Sequence, residues 1–121
     1  MPADARRALG AAGERAVADW YVDAGYEIVD RNWRCREGEL DLVVARSGEI
    51  VFCEVKTRRG VAYGSPAEAV TATKQQRIRV LAMRWLADHP ERRTRGLRFD
   101  VASVLAVRGT APVIDVIEAA F

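Results

Sequence analysis

Two neighbouring β-rich runs carry charged side chains that a tight turn would bring together. The runs extend over Gly38–Arg46 and Glu49–Thr57, and Ser47-Gly48 between them fits a two-residue hairpin loop. Because alternate residues of a strand point to one side, the charged residues should share one face. The register set by the loop pairs them across the strands: Asp41 with Glu54, and Glu39 with Lys56.

The pairing of Asp41 with Glu54 indicates a site for a divalent cation. Directly opposed residues have Cβ atoms about 5 Å apart, where two like charges are destabilising unless something neutralises them. Mg²⁺ is held by one or two carboxylates together with waters and substrate phosphates. Lys56 on the same face would orient or deprotonate a water, or neutralise charge in a phosphoryl transition state. The alternative is a solvated ladder of ion pairs at the strand ends.

The composition limits the class of protein. At 121 residues and 13.4 kDa, the chain is expected to form a single domain over residues 1–121. Lys and Arg number 19 against 17 Asp and Glu, a balance of +2 that points to no class of partner by itself. Only two of the 19 basic residues are lysines, Lys56 and Lys74.

Metal-binding cysteines and membrane segments are not indicated. Cys35, Cys53 and His89 lack the short spacings of a zinc site, which excludes a zinc enzyme. The short Ala/Leu/Gly stretch near the N-terminus is interrupted by Glu14 and Arg15, so it fits neither a signal peptide nor a membrane span. A cytoplasmic protein with no membrane partner is expected.

Helical and strand patterns surround the hairpin. Leu9, Ala12, Ala16 and Trp20 recur at helical spacing with Val17 alongside, which predicts a first helix over Ala5–Ala24. The remaining predicted elements follow in order: a strand over Tyr26–Trp33, a helical turn at the Ser65-Pro66-Ala67-Glu68 capping box, a main helix carrying the stripe Ile78, Leu81, Ala82, Trp85 and Leu86, and strands over Leu97–Val107 and Val113–Ile117.

The hairpin should be buried on both faces. One face is expected to be wholly apolar, with the residues Leu40, Leu42, Val44, Val51, Cys53 and Val55. Near the turn the charged face also becomes apolar, with Val43, Ala45, Ile50 and Phe52. A sheet that is covered by helices on both sides is therefore predicted.

The residues also resemble a known motif. Asp41 is followed, after twelve residues, by Glu54-Val55-Lys56, which resembles the motif of the PD-(D/E)xK nuclease superfamily, with Leu40 where the motif name has Pro. From about Leu9 to Val107 the chain resembles the YraN-type family within that superfamily. The blocks that carry this resemblance are Gly13-Glu14, Asn32-Trp33-Arg34, Gly38-Glu39-Leu40-Asp41-Leu42, Phe52-Cys53-Glu54-Val55-Lys56-Thr57-Arg58, Lys74-Gln75-Gln76-Arg77 and Arg98-Phe99-Asp100-Val101.

The resemblance implies a fold and a set of site residues. The fold is α/β, with a restriction-endonuclease-like α-β-β-β-α-β core and a mixed sheet flanked by helices on both faces. It is similar to archaeal Holliday-junction resolvases, which are Mg²⁺-dependent and dimeric. By position, Asp41, Glu54 and Lys56 would be catalytic. The metal ligands would be Glu14, Asp41, Glu54 and the carbonyl of Val55, with Mg²⁺ or Mn²⁺ as the cofactor.

Two glutamates have more than one interpretation. Glu14 lies about 120° from the centre of the predicted apolar stripe, where it reaches either the sheet or water. It either completes the metal site, as the resemblance implies, or forms a solvated pair with a neighbouring arginine. Glu39 is either a supporting carboxylate behind the metal ligands or the partner of Lys56.

Basic and amide side chains near the predicted site are candidates for nucleic-acid contacts. Lys74, Gln75 and Arg77 at a helix start either touch phosphates or form a solvated first turn. Arg58, with Arg59 and the loop 60–64 containing Tyr63, either clamps a backbone or belongs to a surface loop. A second basic cluster, Arg92, Arg93 and Arg95, is either a binding patch or exposed charge.

The function expected from these residues is hydrolysis of phosphodiester bonds in DNA by a metal-dependent endonuclease. Branched or otherwise structured DNA is the expected substrate, and a homodimer would supply two sites for symmetric cutting. The alternative is a non-catalytic nucleic-acid-binding or adaptor protein that keeps the nuclease fold. A hydrolase directed at RNA is a further, weaker alternative.

Overall fold

Two helices and five strands make up the described part of the chain. A computed structural model describes residues 2–59 and 70–121, so the capping box at Ser65–Glu68 and the loop 60–64 lie outside the described residues. The elements in chain order are α1 (Ala3–Asp23), β1 (Glu27–Cys35), β2 (Gly38–Arg46), β3 (Glu49–Arg59), α2 (Ala72–Asp88), β4 (Gly96–Ala106) and β5 (Val113–Ile117). The predicted order of elements is confirmed.

The strands form one mixed sheet in the order β1-β2-β3-β4-β5. β1, β2 and β3 are antiparallel neighbours, β3 and β4 are parallel, and β5 is antiparallel to β4. The turn between β2 and β3 has Ser47 at φ 52° and Gly48 at φ 83°. Positive φ at both central residues is what the twist of a two-residue hairpin requires. This α/β architecture is consistent with a restriction-endonuclease-like core.

Helices cover both faces of the sheet, as the apolar pattern of the hairpin predicts. On one face Val17, Ala18 and Tyr21 of α1 pack in a core with Leu42 and Val44. The other face has its own core, which includes Val43, Ile50, Phe52, Ile78, Leu81 and Trp85. Neither helix in the described ranges is long and apolar enough to cross a membrane.

α1 lies closer to the sheet than its apolar pattern suggests. The predicted stripe is confirmed at Val17 and wrong at Ala12 and Ala16, because the residues of α1 that are buried are Gly13, Val17, Ala18 and Tyr21. A Cβ added at Gly13 would lie 1.9 Å from Oγ1 of Thr57, so only glycine permits this approach. The contact fixes the turn of α1 that carries the next residue, Glu14, directly over β3.

A buried polar network ties α1 to β4. The Asp100 carboxylate is fully buried and accepts a hydrogen bond of 2.6 Å from the Tyr21 hydroxyl. Arg98 donates to both of its oxygens at 2.8 Å, and the backbone N–H of Ala119 donates to it at 3.0 Å. Because every one of these contacts is internal, Asp100 has a structural role outside the candidate site.

Candidate active site

The predicted register of the hairpin is confirmed over its paired length. β2 and β3 pair from Arg46 and Glu49 beside the turn to Leu42 and Cys53. One residue beyond the last pair, the backbone N–H of Val55 donates to Oδ2 of Asp41 at 2.9 Å. The side chain of Asp41 therefore joins the two strands just past the point where their main-chain pairing ends.

The prediction that the charged residues share one face is wrong. Leu40 packs in the α2-side core, whereas Leu42 packs in the α1-side core, so strict alternation breaks between them. Asp41 accordingly lines a cleft with Glu14 of α1. Glu54 alternates with Phe52, which belongs to the α2-side core. The site thus spans the sheet where β2 parts from β3.

A left-handed residue accompanies this break in alternation. Asn32 on β1 has φ 50° and lies between the paired residues Arg31–Leu42 and Trp33–Leu40. Its side chain also hydrogen-bonds Glu14. Asn32 is a residue whose role sequence reasoning missed, although asparagine in a strand is a signal, because it adopts positive φ more readily than most residues.

Asp41 has the most strongly perturbed carboxyl of the candidate site. Its pKa is raised from an ordinary 3.8 to about 7, first by burial and then by the nearby charge of Glu54. The Val55 N–H opposes the rise, while Glu14 and Glu39 add to it. Perturbation by burial together with specific charged neighbours is typical of functional sites.

Glu14 lies nearer to the sheet than the sequence pattern predicted. It precedes the buried residues Ala18 and Tyr21 by four and seven positions, which places it beside the buried face of α1. Burial is the main cause of its raised pKa, and Glu39 and Glu54 contribute. The resemblance assigned Glu14 to the metal site, and the structure brings it within electrostatic reach of the other three carboxylates.

Lys56 and Glu39 have different partners from the predicted pair. The ammonium of Lys56 lies 3.3 Å from Oε1 of Glu54, two residues before it on β3. Glu39 instead forms an ion pair with Arg34 across β1 and β2, with 2.8 Å between Oε2 and Nε. The interpretation of Glu39 as the partner of Lys56 is therefore not realised, and its role as a supporting carboxylate stays a prediction.

The second lysine of the chain joins the first. Lys74 follows the N-cap of α2, where the Thr71 side chain accepts a hydrogen bond from its backbone N–H at 3.3 Å. The pKa of Lys74 is lowered, first because its side chain lies in contact with Lys56. Glu54 is close enough to oppose that shift. The two lysines thus converge on Glu54 from β3 and α2.

The other predicted nucleic-acid residues surround this point less closely. The Gln75 side chain donates to the carbonyl of Val70 at 3.1 Å, which ties it to the segment before α2. Arg77 is exposed on α2 and near enough to Lys74 to act on its charge. Arg58 is half-buried on β3 opposite Leu105. Contact of these residues with nucleic acid stays a prediction.

The oxygen ligands of the site suit a hard cation such as Mg²⁺ that keeps waters in its remaining coordination positions. Within residues 2–59 and 70–121, no three His, Cys, Asp or Glu side chains form a closed metal-binding group. Mg²⁺ needs no such group, because it retains waters and binds through one or two carboxylates. Asp41 and Glu54 supply these, and their mutual repulsion is what a bound cation would relieve.

Comparison with known proteins gives the relationship of the chain. A model of the uncharacterised protein family UPF0102 matches residues 13–104. A UPF0102 protein of Nocardia farcinica is 55% identical, over 96% of this chain and 91% of its own length. A UPF0102 protein of Acidothermus cellulolyticus is 44% identical, over 98% of this chain and 97% of its own length. The chain therefore belongs to family UPF0102, the YraN-type family that its motifs resemble.

Proposed function

We propose that this protein is a metal-dependent endonuclease that hydrolyses phosphodiester bonds in DNA. The observation that carries the proposal is the meeting of Asp41, Glu54 and Lys56 at the end of the β2–β3 pairing. Two carboxylates that repel each other beside an ammonium would be unfavourable in a protein that only binds phosphates. A cation bound between the two carboxylates would offset their repulsion.

The direct ligands of the cation would be Asp41, Glu54 and the carbonyl of Val55, and Glu14, which does not close a three-carboxylate group with them, would complete the site through a bound water. Mg²⁺, or Mn²⁺ in its place, would supply a Lewis acid that neutralises phosphate charge and activates water. Asp41 is aimed by the Val55 N–H, which holds one of its oxygens and leaves the other to bind. Glu39, held by Arg34, would support this arrangement through the field it exerts on Asp41 and Glu14.

The two lysines would act on the phosphate and on water. Lys56 lies beside Glu54 and is half-buried, so its amine is positioned to hold a water or to stabilise the charge that develops on the phosphate. Lys74 brings a second cation to the same point from the first turn of α2. A phosphate that enters between them would relieve the repulsion of the two ammonium groups.

Cleavage of labelled DNA tests the proposal. End-labelled duplex, single-stranded, flap and four-way-junction DNA would be incubated with Mg²⁺ or Mn²⁺ and with protein, to find the preferred structure. We expect Lys56→Ala to lower the rate by about 100-fold or more, since it removes a group that stabilises the transition state. Lys74→Ala should lower it by about tenfold, because one phosphate contact is lost. Arg93→Ala, at the far end of the sheet, is the matched control.

Metal-dependent melting separates the enzyme from the alternative of a non-catalytic binding protein. Mg²⁺ at 100 times its Kd should stabilise the wild type by about 2.7 kcal/mol, and Glu54→Gln should remove the shift. No product on any DNA, together with no shift in melting temperature, would refute the enzymatic proposal. Sedimentation with and without DNA would test the homodimer that symmetric cutting requires.

A further inference from the structure

Three clefts on the α1 side of the molecule join end to end. The first, of about 250 Å³, opens between α1 and the β1–β2 strands and contains Asp41. The second, of about 440 Å³, lies between α1 and β3. The third, of about 500 Å³, continues past the ends of β3 and β4. Glu14 lines both the first and the second cleft, and Arg59 lines both the second and the third, so each cleft borders the next and the three form one track along the surface.

Arginines line this track along its whole length, and we call it the basic track. They come from α1, β1, β3 and the turn after β4, and all are exposed: Arg6, Arg15, Arg31, Arg59 and Arg108. No carboxylate in the described ranges forms an ion pair with any of them. Arg34, Arg92 and Arg98, which lie elsewhere, each have such a partner. The guanidinium groups of the basic track therefore keep their full capacity to bind an anion.

The order of charges along the basic track is informative. Arg15 and Arg31 share the first cleft with Asp41, Arg6 and Arg59 share the second cleft, and Glu14 lines both clefts. Negative charge where the two clefts meet suits a cation, whereas positive charge in both clefts suits an extended polyanion. Because the chain has a formal net charge of only +2, attraction of a polyanion depends on local concentrations of this kind.

We propose that a nucleic-acid strand lies along the basic track, with its phosphates against the arginines of the clefts that Glu14 and Asp41 line. This inference rests on the proposed function, since it places the substrate of the same site. It makes α1 the main binding element, whereas the predicted contacts Lys74, Gln75 and Arg77 are on α2. Guanidinium groups bind phosphate oxygens in a bidentate manner, which suits backbone contacts that carry no sequence information.

The rival surface lies at the opposite end of β4 from the third cleft of the basic track. The cluster Arg92, Arg93 and Arg95 precedes β4, which begins at Gly96 beside the β2–β3 turn. β4 ends ten residues later at Ala106, two residues before Arg108, so about 33 Å separates the two ends of the strand. Substitutions at the two ends can therefore be compared as equal losses of charge at different places.

The test measures binding without cleavage. Fluorescence anisotropy would follow DNA and RNA oligonucleotides of one sequence in EDTA at several salt concentrations, and the effects would be judged on the polymer that binds more tightly. Two double variants remove arginines from the first and the second cleft of the basic track: Arg15→Gln with Arg31→Gln, and Arg6→Gln with Arg59→Gln. Each should weaken binding by roughly tenfold and reduce the slope of log K against log salt by about 1.5. Arg93→Gln with Arg95→Gln should change neither quantity.

Two outcomes would overturn the inference. One is wild-type affinity and salt slope in both track variants; the other is a loss confined to the Arg93/Arg95 variant. The failure of the proposed function is distinguishable from both, because binding in EDTA requires no turnover. Track variants that lose binding, in a protein that never cuts DNA with metal, would support the basic track and refute the nuclease.

Discussion

Asp41 is held in place at the expense of folding stability. Its pKa of about 7 means that the folded protein favours the protonated carboxyl at pH values where the unfolded chain is ionised. The protonated Asp41 carboxyl contributes its full stabilisation at pH values below 3.8, its pKa in the unfolded chain. This stabilisation is lost as the pH rises towards about 7, its pKa in the folded protein. A residue that weakens its own fold in this way is more useful in binding than in packing.

Asp41→Asn should therefore stabilise the protein in the absence of metal. The amide oxygen can still accept from the Val55 N–H, while the repulsion from Glu54 is removed. In urea unfolding with EDTA at pH 8, we expect a gain of about 2 kcal/mol over the wild type. At pH 3 the two proteins should be nearly equal, since the wild-type carboxyl is then protonated in both the folded and the unfolded chain.

A matched control separates the effect of removing the carboxylate at position 41 from the effect of removing one negative charge anywhere on the protein. Asp19→Asn removes one carboxylate from an exposed site of α1 and should leave the pH profile of stability unchanged. A wild type whose stability rises between pH 4 and pH 7 relative to Asp41→Asn would contradict the assignment. It would mean that the carboxylate is stabilised, and not strained, in the folded state.

Residues of the candidate site were predictable where the β2–β3 turn sets the strand register. Asp41, Glu54 and Lys56 followed from the loop Ser47-Gly48, because a two-residue turn fixes the register of everything near it. The direction of the Asp41 side chain did not follow, since the break in alternation depends on a neighbouring strand. The pair of Glu39 with Arg34 was also missed, because it crosses to that strand.

At the scale of elements, the position of α1 depends on one glycine. Gly13→Ala would place a methyl group on Thr57, which must then rotate or be pushed away with β3. We expect a loss of about 1–3 kcal/mol in urea unfolding, as for other overpacked cores. Because Glu14 follows directly, the Mg²⁺-dependent shift in melting temperature should also decrease in this variant.

Gly10→Ala provides the control on the same helix. A Cβ at Gly10 meets nothing within 4 Å, so alanine there only improves helix propensity. A gain of about 0.5–1 kcal/mol is expected, with an unchanged response to Mg²⁺. Equal effects of the two substitutions would show that the contact of Gly13 with Thr57 does not determine the packing of α1.

The elements themselves were largely predictable, with two instructive exceptions. Hydrophobic periodicity located each strand and both helices, but it favoured alanines as the buried stripe of α1. Periodicity cannot detect a glycine that is buried because a neighbouring backbone comes close. The start of α2 was expected near Lys74 and lies two residues earlier, at Ala72, because Thr71 caps the helix without the second half of a capping box.

At the scale of the molecule, the Asp100 network holds α1 and β4 together. Asp100→Asn would leave Arg98, which is only 14% exposed, without its buried counter-charge. Breaking one half of a buried pair is strongly destabilising, and we expect a loss of about 3 kcal/mol in urea unfolding. The affinity of the remaining folded protein for DNA should be unchanged, because Asp100 does not line the basic track.

Tyr21→Phe tests the same network more gently. It removes one hydrogen bond to Asp100 and keeps the ring in the core, so a loss of about 1 kcal/mol is expected. A larger loss from Tyr21→Phe than from Asp100→Asn would contradict the central role assigned to the Asp100 carboxylate.

Contacts between residues that are distant in the sequence were the hardest feature to predict from it. The parallel pairing of β3 with β4 joins residues that are 47 positions apart, for example Glu54 with Val101. The basic track likewise collects arginines from four separate parts of the chain. Local sequence patterns do not show which distant residues come together in the fold. They pointed instead to the cluster Arg92, Arg93 and Arg95, which is conspicuous only because its members are close together in the sequence.

The point at which β2 and β3 part also has a kinetic consequence. A hairpin closes like a zipper from its turn, and the last rungs here would bring Asp41 and Glu54 together before α1 or α2 has docked. Their repulsion should delay those rungs, so the tip at Ser47-Gly48 forms early and the acidic end forms late. In hydrogen exchange, the amide of Val55 should consequently exchange sooner than that of Val51, although both belong to one strand.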